Sequence, residues 1–354
     1  MSPTERIWPA RTRLLRLPWP DARIRVDLRV AAVSAVLTLA ALAVCLWSLT
    51  IGELSIAPGE VLAALTGDAD SGITRVVREW RLPRALLGLL GGAALGVSGA
   101  IFQSLTRNPL GSPDIIGFNA GAYTGTLLTA LLVGDSELGT TAGALLGGVC
   151  TGLLVYVLAF RHGVQGHRLI IVGIGVSALL TSVNSYLLVS LRLEEAIAAA
   201  TWGAGSFHDV GWPEVWPVLI ATALLLPAAL LLTGRMRLLE LGDDAARALG
   251  VPVERTRLAM LLVGVGLTAV VTAVAGPIAF VALVAPQLAI RLTRSGGIRP
   301  LPAAAMGALL LTCGDLIART VVAPSQLPVG VVTVCLGGAY LVWLLWSGAR
   351  RGTA

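Results

Sequence analysis

The chain reads as an all-α polytopic membrane protein with ten transmembrane helices. Ten apolar stretches of spanning length follow one another, 56% of the 354 residues are hydrophobic, and only 13% are charged. Soluble domains carry about 45–50% apolar and about 25% charged residues, so too little polar surface remains here to cover a water-soluble globule. Hydrocarbon also demands segments whose backbone groups satisfy one another, as long helices do.

In chain order, residues 1–29 hold seven arginines and no small-residue cleavage site, so they are expected to form a retained, cytosolic Arg-rich tail. Residues 30–350 form one ten-helix domain, with spans expected at 30–51, 85–104, 114–133, 138–160, 169–191, 212–233, 256–275, 277–293, 300–318 and 328–347. Before the second span lies an arginine group, Arg75, Arg78, Arg81 and Arg84. Its long side chains suit snorkelling to anionic headgroups and equally suit docking of an acidic partner.

Between the second and third spans, Arg107 to Asp114 contains Pro109, Gly111 and Pro113 and predicts a rigid non-helical elbow that includes Asn108 and Leu110. Such backbone is tolerated at membrane depth only where protein buries it or it lines a watery cavity. A transport path is therefore the first functional hypothesis. The fifth span places Ser177, Thr181, Asn184 and Ser185 on one helical stripe, which serves either as interhelical glue or as a conduit lining. After it, Glu194 to Phe207, including Trp202, is too short to cross and is placed at the outer mouth.

The longest soluble-looking inner segment runs from Gly234 to Arg257. Its centre, Leu239 to Gly250, predicts a short helix with Asp243 and Asp244 early, Arg247 late and Gly250 as C-cap, matching the helix dipole. Gly242, Ala245, Ala246 and Ala248 leave a small-residue face, either an ordinary connector or a contact for another protein. Further on, Pro277 predicts a tight outer turn and Pro286 a kink in span eight. Each five-span half thus carries a proline- and glycine-broken element, as alternating-access transporters with inverted repeats do.

Arginine placement sets the orientation. With the tail inside, inner segments hold 20 arginines and outer segments 6, and an even span count puts both termini in the cytosol. Membrane topology thus accounts for the net charge of +6 without nucleic acid. There is no lysine, so a phosphate loop of the G-x-x-x-x-G-K-[ST] type is excluded; an ATP motor would have to be another polypeptide. Cys45, Cys150, Cys313 and Cys335 all sit in apolar runs and read as small buried hydrophobes. No metal-ligand spacing or nucleophile–base pair stands out. Buried acids are scarce, with Asp114 and Asp315 near span ends, which argues against ion coupling.

Several ordered motifs carry a resemblance. They are Arg81-Leu-Pro-Arg84, Gly92 to Ser104, Asn108-Pro-Leu-Gly-Ser-Pro113, the Gly242–Gly250 segment, Gly276-Pro277 with Pro286, Asp315 to Arg319, and Leu327 to Thr333. Together they resemble permeases of iron-siderophore and vitamin B12 ABC importers over about residues 30–350, and within these the ferric-enterobactin permease subunits. The resemblance implies a type II importer permease fold, half of a path enclosed with a second permease subunit, here expected to be a paralogue in a heterodimer. It implies an ABC ATPase dimer using ATP and Mg, an extracytoplasmic binding protein, and ferric siderophore as cargo, with no cofactor on this chain. It assigns ATPase coupling to Gly242, Asp243, Asp244, Ala245, Leu249 and Gly250, and binding-protein docking to Arg81, Arg84 and Arg319. It makes Asn108 and Leu110 a cytoplasmic gate, and Ser177, Thr181, Asn184 and Trp202 the path. Two departures stand out: Gly166-His167 replaces the Thr-Ser of a second gate, and Pro286-Gln287 replaces a frequent Pro-His. Cobalamin or haem import on the same fold, and an ion-coupled carrier, are the competing readings.

Overall fold

The computed structural model describes residues 12–16, 23–52, 54–134, 137–160, 166–208 and 210–349. Residues 1–11 and 17–22 of the expected tail, Asp135, Arg161, Arg350 and Arg351 lie outside the described residues. Within the tail the sequence reading lacked one element. β1 (Thr12–Arg16) pairs antiparallel with β2 (Arg23–Asp27), Thr12 opposite Asp27. Asp27 then caps α1 (Leu28–Ser48), accepting a hydrogen bond from the Arg29 amide at 3.1 Å.

Three short pieces follow: α2 (Pro58–Thr66), α3 (Ser71–Arg75) and a π-helical turn over Val76–Arg81. That turn runs straight into α4 (Leu82–Thr106), so residues 71–106 form one helical stretch and the expected outer arginine loop is helix. The π turn falls just before Pro83, which has no N–H to continue a regular ladder. The chain continues with α5 (Phe118–Val133), α6 (Glu137–Ala159), α7 (Gly166–Ser190) and α8 (Leu193–Gly203). Then come α9 (Trp212–Glu240), α10 (Asp243–Ala248), α11 (Val253–Ala275), α12 (Val281–Thr293), α13 (Pro300–Thr320) and α14 (Val329–Ala349).

Seven helices are long and apolar enough to cross a membrane, and three shorter apolar ones, within α5, α12 and α14, complete the expected ten. Span six runs seven residues further than expected, to Glu240, while spans three and eight begin four residues later, at Phe118 and Val281. At 13 residues, α12 rises only about 20 Å, less than the roughly 30 Å of hydrocarbon. The missing length is the elbow 276–280, where Gly276 and Phe280 both adopt positive φ.

The core gathers round α4, whose helical stretch is the most buried of the long ones at 78%. Gly96 and Gly307 let α4 and α13 touch backbone to backbone; a Cβ on Gly96 would lie 2.1 Å from the Ala303 carbonyl oxygen. Small residues give such close crossings in lipid, where burial alone provides little drive. The cysteine expectation holds for Cys45, which is buried, but Cys150 and Cys335 are exposed on α6 and α14.

Candidate functional site

The site residues fall into three groups, two at opposite ends of the bundle and one between. At the first end, α4 stops because Arg107 turns into the left-handed region at φ 50°. Asn108 then folds the elbow on itself, its Oδ1 accepting the Leu110 amide at 2.9 Å and its carbonyl the Gly111 amide at 2.9 Å. Leu110 is left exposed. The side chain of Arg107 reaches away from the elbow: its Nε donates to the Leu239 carbonyl at 2.9 Å and its Nη2 to Asp243. Asp243 is also held by Arg257, whose Nη2 donates to both carboxylate oxygens at 2.8 and 2.9 Å. Burial pushes the Asp243 carboxyl up, but the Arg107 and Arg257 guanidinia outweigh it and hold the group below the usual carboxylate range.

Asp243 therefore points inward and ties α10 to both the elbow and α11. Asp244 instead faces solvent and meets only Arg247, at 3.0 Å. Gly242 (φ 115°) and Gly250 (φ 80°) bracket α10 in conformations open to glycine, and Leu249 is exposed. Sequence reasoning missed Arg107 and Arg257. Their signal was faint, one arginine beside a proline elbow and one opening a span.

Both departures from the family pattern now have a structural reason. Gly166 starts α7 directly against α4: a Cβ there would lie 2.6 Å from the Thr106 Cα, so no side chain fits, and His167 is exposed. Gln287 donates from Nε2 to the buried Gln103 Oε1 at 2.7 Å, while Gln103 Nε2 donates to the Leu283 carbonyl at 2.9 Å. The pair joins α12 to α4 beside Pro286.

Between the ends, the two elbows meet. Asp114 accepts from Asn119 Nδ2 at 2.6 Å and weakly from the Phe280 amide at 3.4 Å. Beside them lies a recess of about 340 Å³ lined by Thr181 and Asn184 of the predicted stripe, with Asn119, Tyr123, Ser185 and Pro277. Asn184 also acts as glue, its Oδ1 accepting from Thr124 at 2.6 Å and its Nδ2 donating to the Ala120 carbonyl at 3.0 Å. Trp202 borders the recess through its ring, stacked on Tyr123 with centroids 6.2 Å apart. Ser177 does not line it. Its Oγ is buried without a hydrogen-bond partner among the described residues and packs against Gly117.

At the far end the predicted docking arginines separate. Arg84 Nε donates to Asp315 at 2.9 Å and its Nη1 to Gln326 Oε1 at 2.7 Å. Arg319 faces the same carboxylate at 3.1 Å, and its Nη2 finds no acceptor among the described residues. Arg81 departs from the docking expectation. It is buried, and it donates to the Leu49 carbonyl at 2.7 Å and to that of Leu54. Arg81→Met should therefore lower thermal stability in detergent by about 1–3 kcal/mol, the cost of orphaned buried carbonyls, without changing binding-protein affinity. Differential scanning fluorimetry beside a docking titration checks both halves.

Comparison with known proteins follows this geometry. The model of the FecCD transport family matches residues 39–347. The chain is 51% identical to the ferric enterobactin transport system permease protein FepG of Escherichia coli, over 93% of this chain and 99% of the relative. It is 36% identical to the achromobactin transport system permease protein CbrC of Dickeya dadantii, over 93% and 96%. It is also 38% identical to the iron(3+)-hydroxamate import system permease protein FhuG of Bacillus subtilis, over 84% and 91%. A solved structure described as an inward-facing metal-chelate type ABC transporter superposes with a TM-score of 0.80 at 28% identity, covering 90% of this chain and 99% of that one. With its ten helices, proline elbows and short α10, the chain belongs to the FecCD transport family and has the fold of an ABC-importer permease.

Proposed function

We propose that this chain is the permease subunit of an ABC importer that carries a ferric siderophore of the catecholate, enterobactin-like type across the bacterial cytoplasmic membrane. The observation that carries the reading is the tie from α10 through Asp243 and Arg107 to the Asn108 elbow. A push on α10 reaches a candidate gate through a single ion pair. The cargo rests on the 51% identity to the ferric enterobactin permease. Arginine asymmetry puts the Arg107 end and both termini in the cytosol.

In this reading a separate ATPase dimer, using ATP and Mg, closes on α10, with Asp244, Leu249 and the small residues Gly242, Ala245 and Gly250 offered to it. Asp243 and Arg107 pass the movement to Asn108 and Leu110. A second permease subunit, a paralogue, completes the path along Thr181, Asn184 and Trp202. An extracytoplasmic binding protein docks its acids on Arg84 and Arg319, and the unsatisfied Nη2 of Arg319 suits an incoming carboxylate. Iron travels as cargo inside its chelate.

Proteoliposomes test this. The permease pair alone should accumulate no ferric chelate, and adding ATPase, binding protein and ATP should give uphill uptake. Uphill uptake without the ATPase would overturn the importer reading.

A further inference from the structure

We propose, building on the importer reading, that the recess between α5, α7 and the 276–280 elbow is a subsite for one aryl-amide arm of the chelate, held by neutral acceptors and an aromatic wall. Its volume, about 340 Å³, lies at the low end of small-molecule sites, which span about 300–1,000 Å³. It suits one arm of a bulky cargo.

The chemistry of the wall is selective. No charged side chain lines it, so an anionic iron centre gains no counter-charge there and is not trapped in transit. What it offers is acceptors. Asn119 Oδ1 is buried with no hydrogen-bond partner among the described residues, because that amide donates its Nδ2 to Asp114. The hydroxyls of Thr181 and Ser185 donate backwards to the carbonyls of Ser177 and Thr181, at 2.8 and 3.0 Å, which leaves their lone pairs outward. An arm that brings an N–H finds three acceptors and no competing donor among these groups.

The aromatic side is built as well. Tyr123 stacks on Trp202 at an interplanar angle of 15°, and Gly203 makes room for it, since a Cβ there would lie 2.9 Å from the Tyr123 ring. A planar aryl group can lie along such a face by offset stacking. Acceptors and ring together distinguish an arylamide from an alkyl hydroxamate or a citrate.

The test compares two ferric tris-catecholates of equal charge in proteoliposomes of the complete importer: one with secondary aryl amides, the other N-methylated at each amide. Thr181→Val with Ser185→Ala removes two acceptors whose own donations stay within α7, so folding is preserved; Asn119→Ala removes the third. Each variant should raise KM for the secondary-amide chelate about fivefold, the effect of one neutral hydrogen bond, and leave the N-methylated chelate unchanged. Tyr123→Ala should weaken both. Equal effects on the two chelates, or none, would overturn the subsite while leaving the importer reading intact. Loss of the second permease subunit from the purified variants would assign the recess to subunit packing and overturn it too. A wild-type importer that moves neither chelate would instead remove the catecholate reading, and the subsite with it.

Discussion

Asp243→Arg is expected to abolish uptake while the protein still inserts in the membrane. The carboxylate it removes neutralises Arg107 and Arg257, and the side chain of Arg257 is only 7% exposed. Three guanidinia would then crowd a half-buried corner. Breaking a buried pair costs about 3–5 kcal/mol, and the lower end applies because the Asp243 side chain is itself 28% exposed. Asp244→Arg changes only a surface pair worth up to about 1 kcal/mol, so stability should hold and any loss of uptake would report ATPase contact. Iron uptake in a deletion strain, beside protein level and ATPase rate of the purified complex, separates the two. Wild-type uptake by Asp243→Arg would disprove the link from α10 to the elbow.

Arg84→Glu combined with Arg319→Glu should weaken binding-protein docking at least about thirtyfold, since truncating one partner of a desolvated charge pair costs about 2 kcal/mol or more. Reversal goes further than truncation, because three carboxylates would then face one another round Asp315. Arg84→Gln with Arg319→Gln is the milder control, leaving Asp315 able to accept neutral hydrogen bonds. The defect should deepen as salt falls, because screening no longer masks the repulsion. Unchanged affinity at low salt would confine these arginines to holding α13 against α4.

Sequence alone showed the ten spans, since apolar length needs no tertiary information, and both elbows, since proline and glycine act locally. Helix α10 was equally legible from Gly242, Gly250 and the order of its charges. Helix α2 was not read, although Pro58 at its start and a left-handed Gly67 at its end are local signals. The inward turn of Arg81 could not be read. Arg81 and Arg84 lie three residues apart, yet one serves the carbonyls after α1 and the other Asp315 on α13, a choice made by partners 32 and 231 residues away. The same holds for Asp243 and Asp244, neighbours with opposite orientations. Gly166 and Gln287 were visible as departures, but their reasons lie in α4, far off in sequence.

The Asp243 brace also bears on life in acid. Its carboxyl sits below the usual range in the fold, so the ionised form persists as pH falls toward ordinary carboxylate values, and its stabilisation fades only once pH drops through that lowered value. The guanidinia opposite never discharge. A bacterium whose cytoplasm sours to pH 5 therefore keeps the joint between motor and channel charged, and iron acquisition would falter first at some other component.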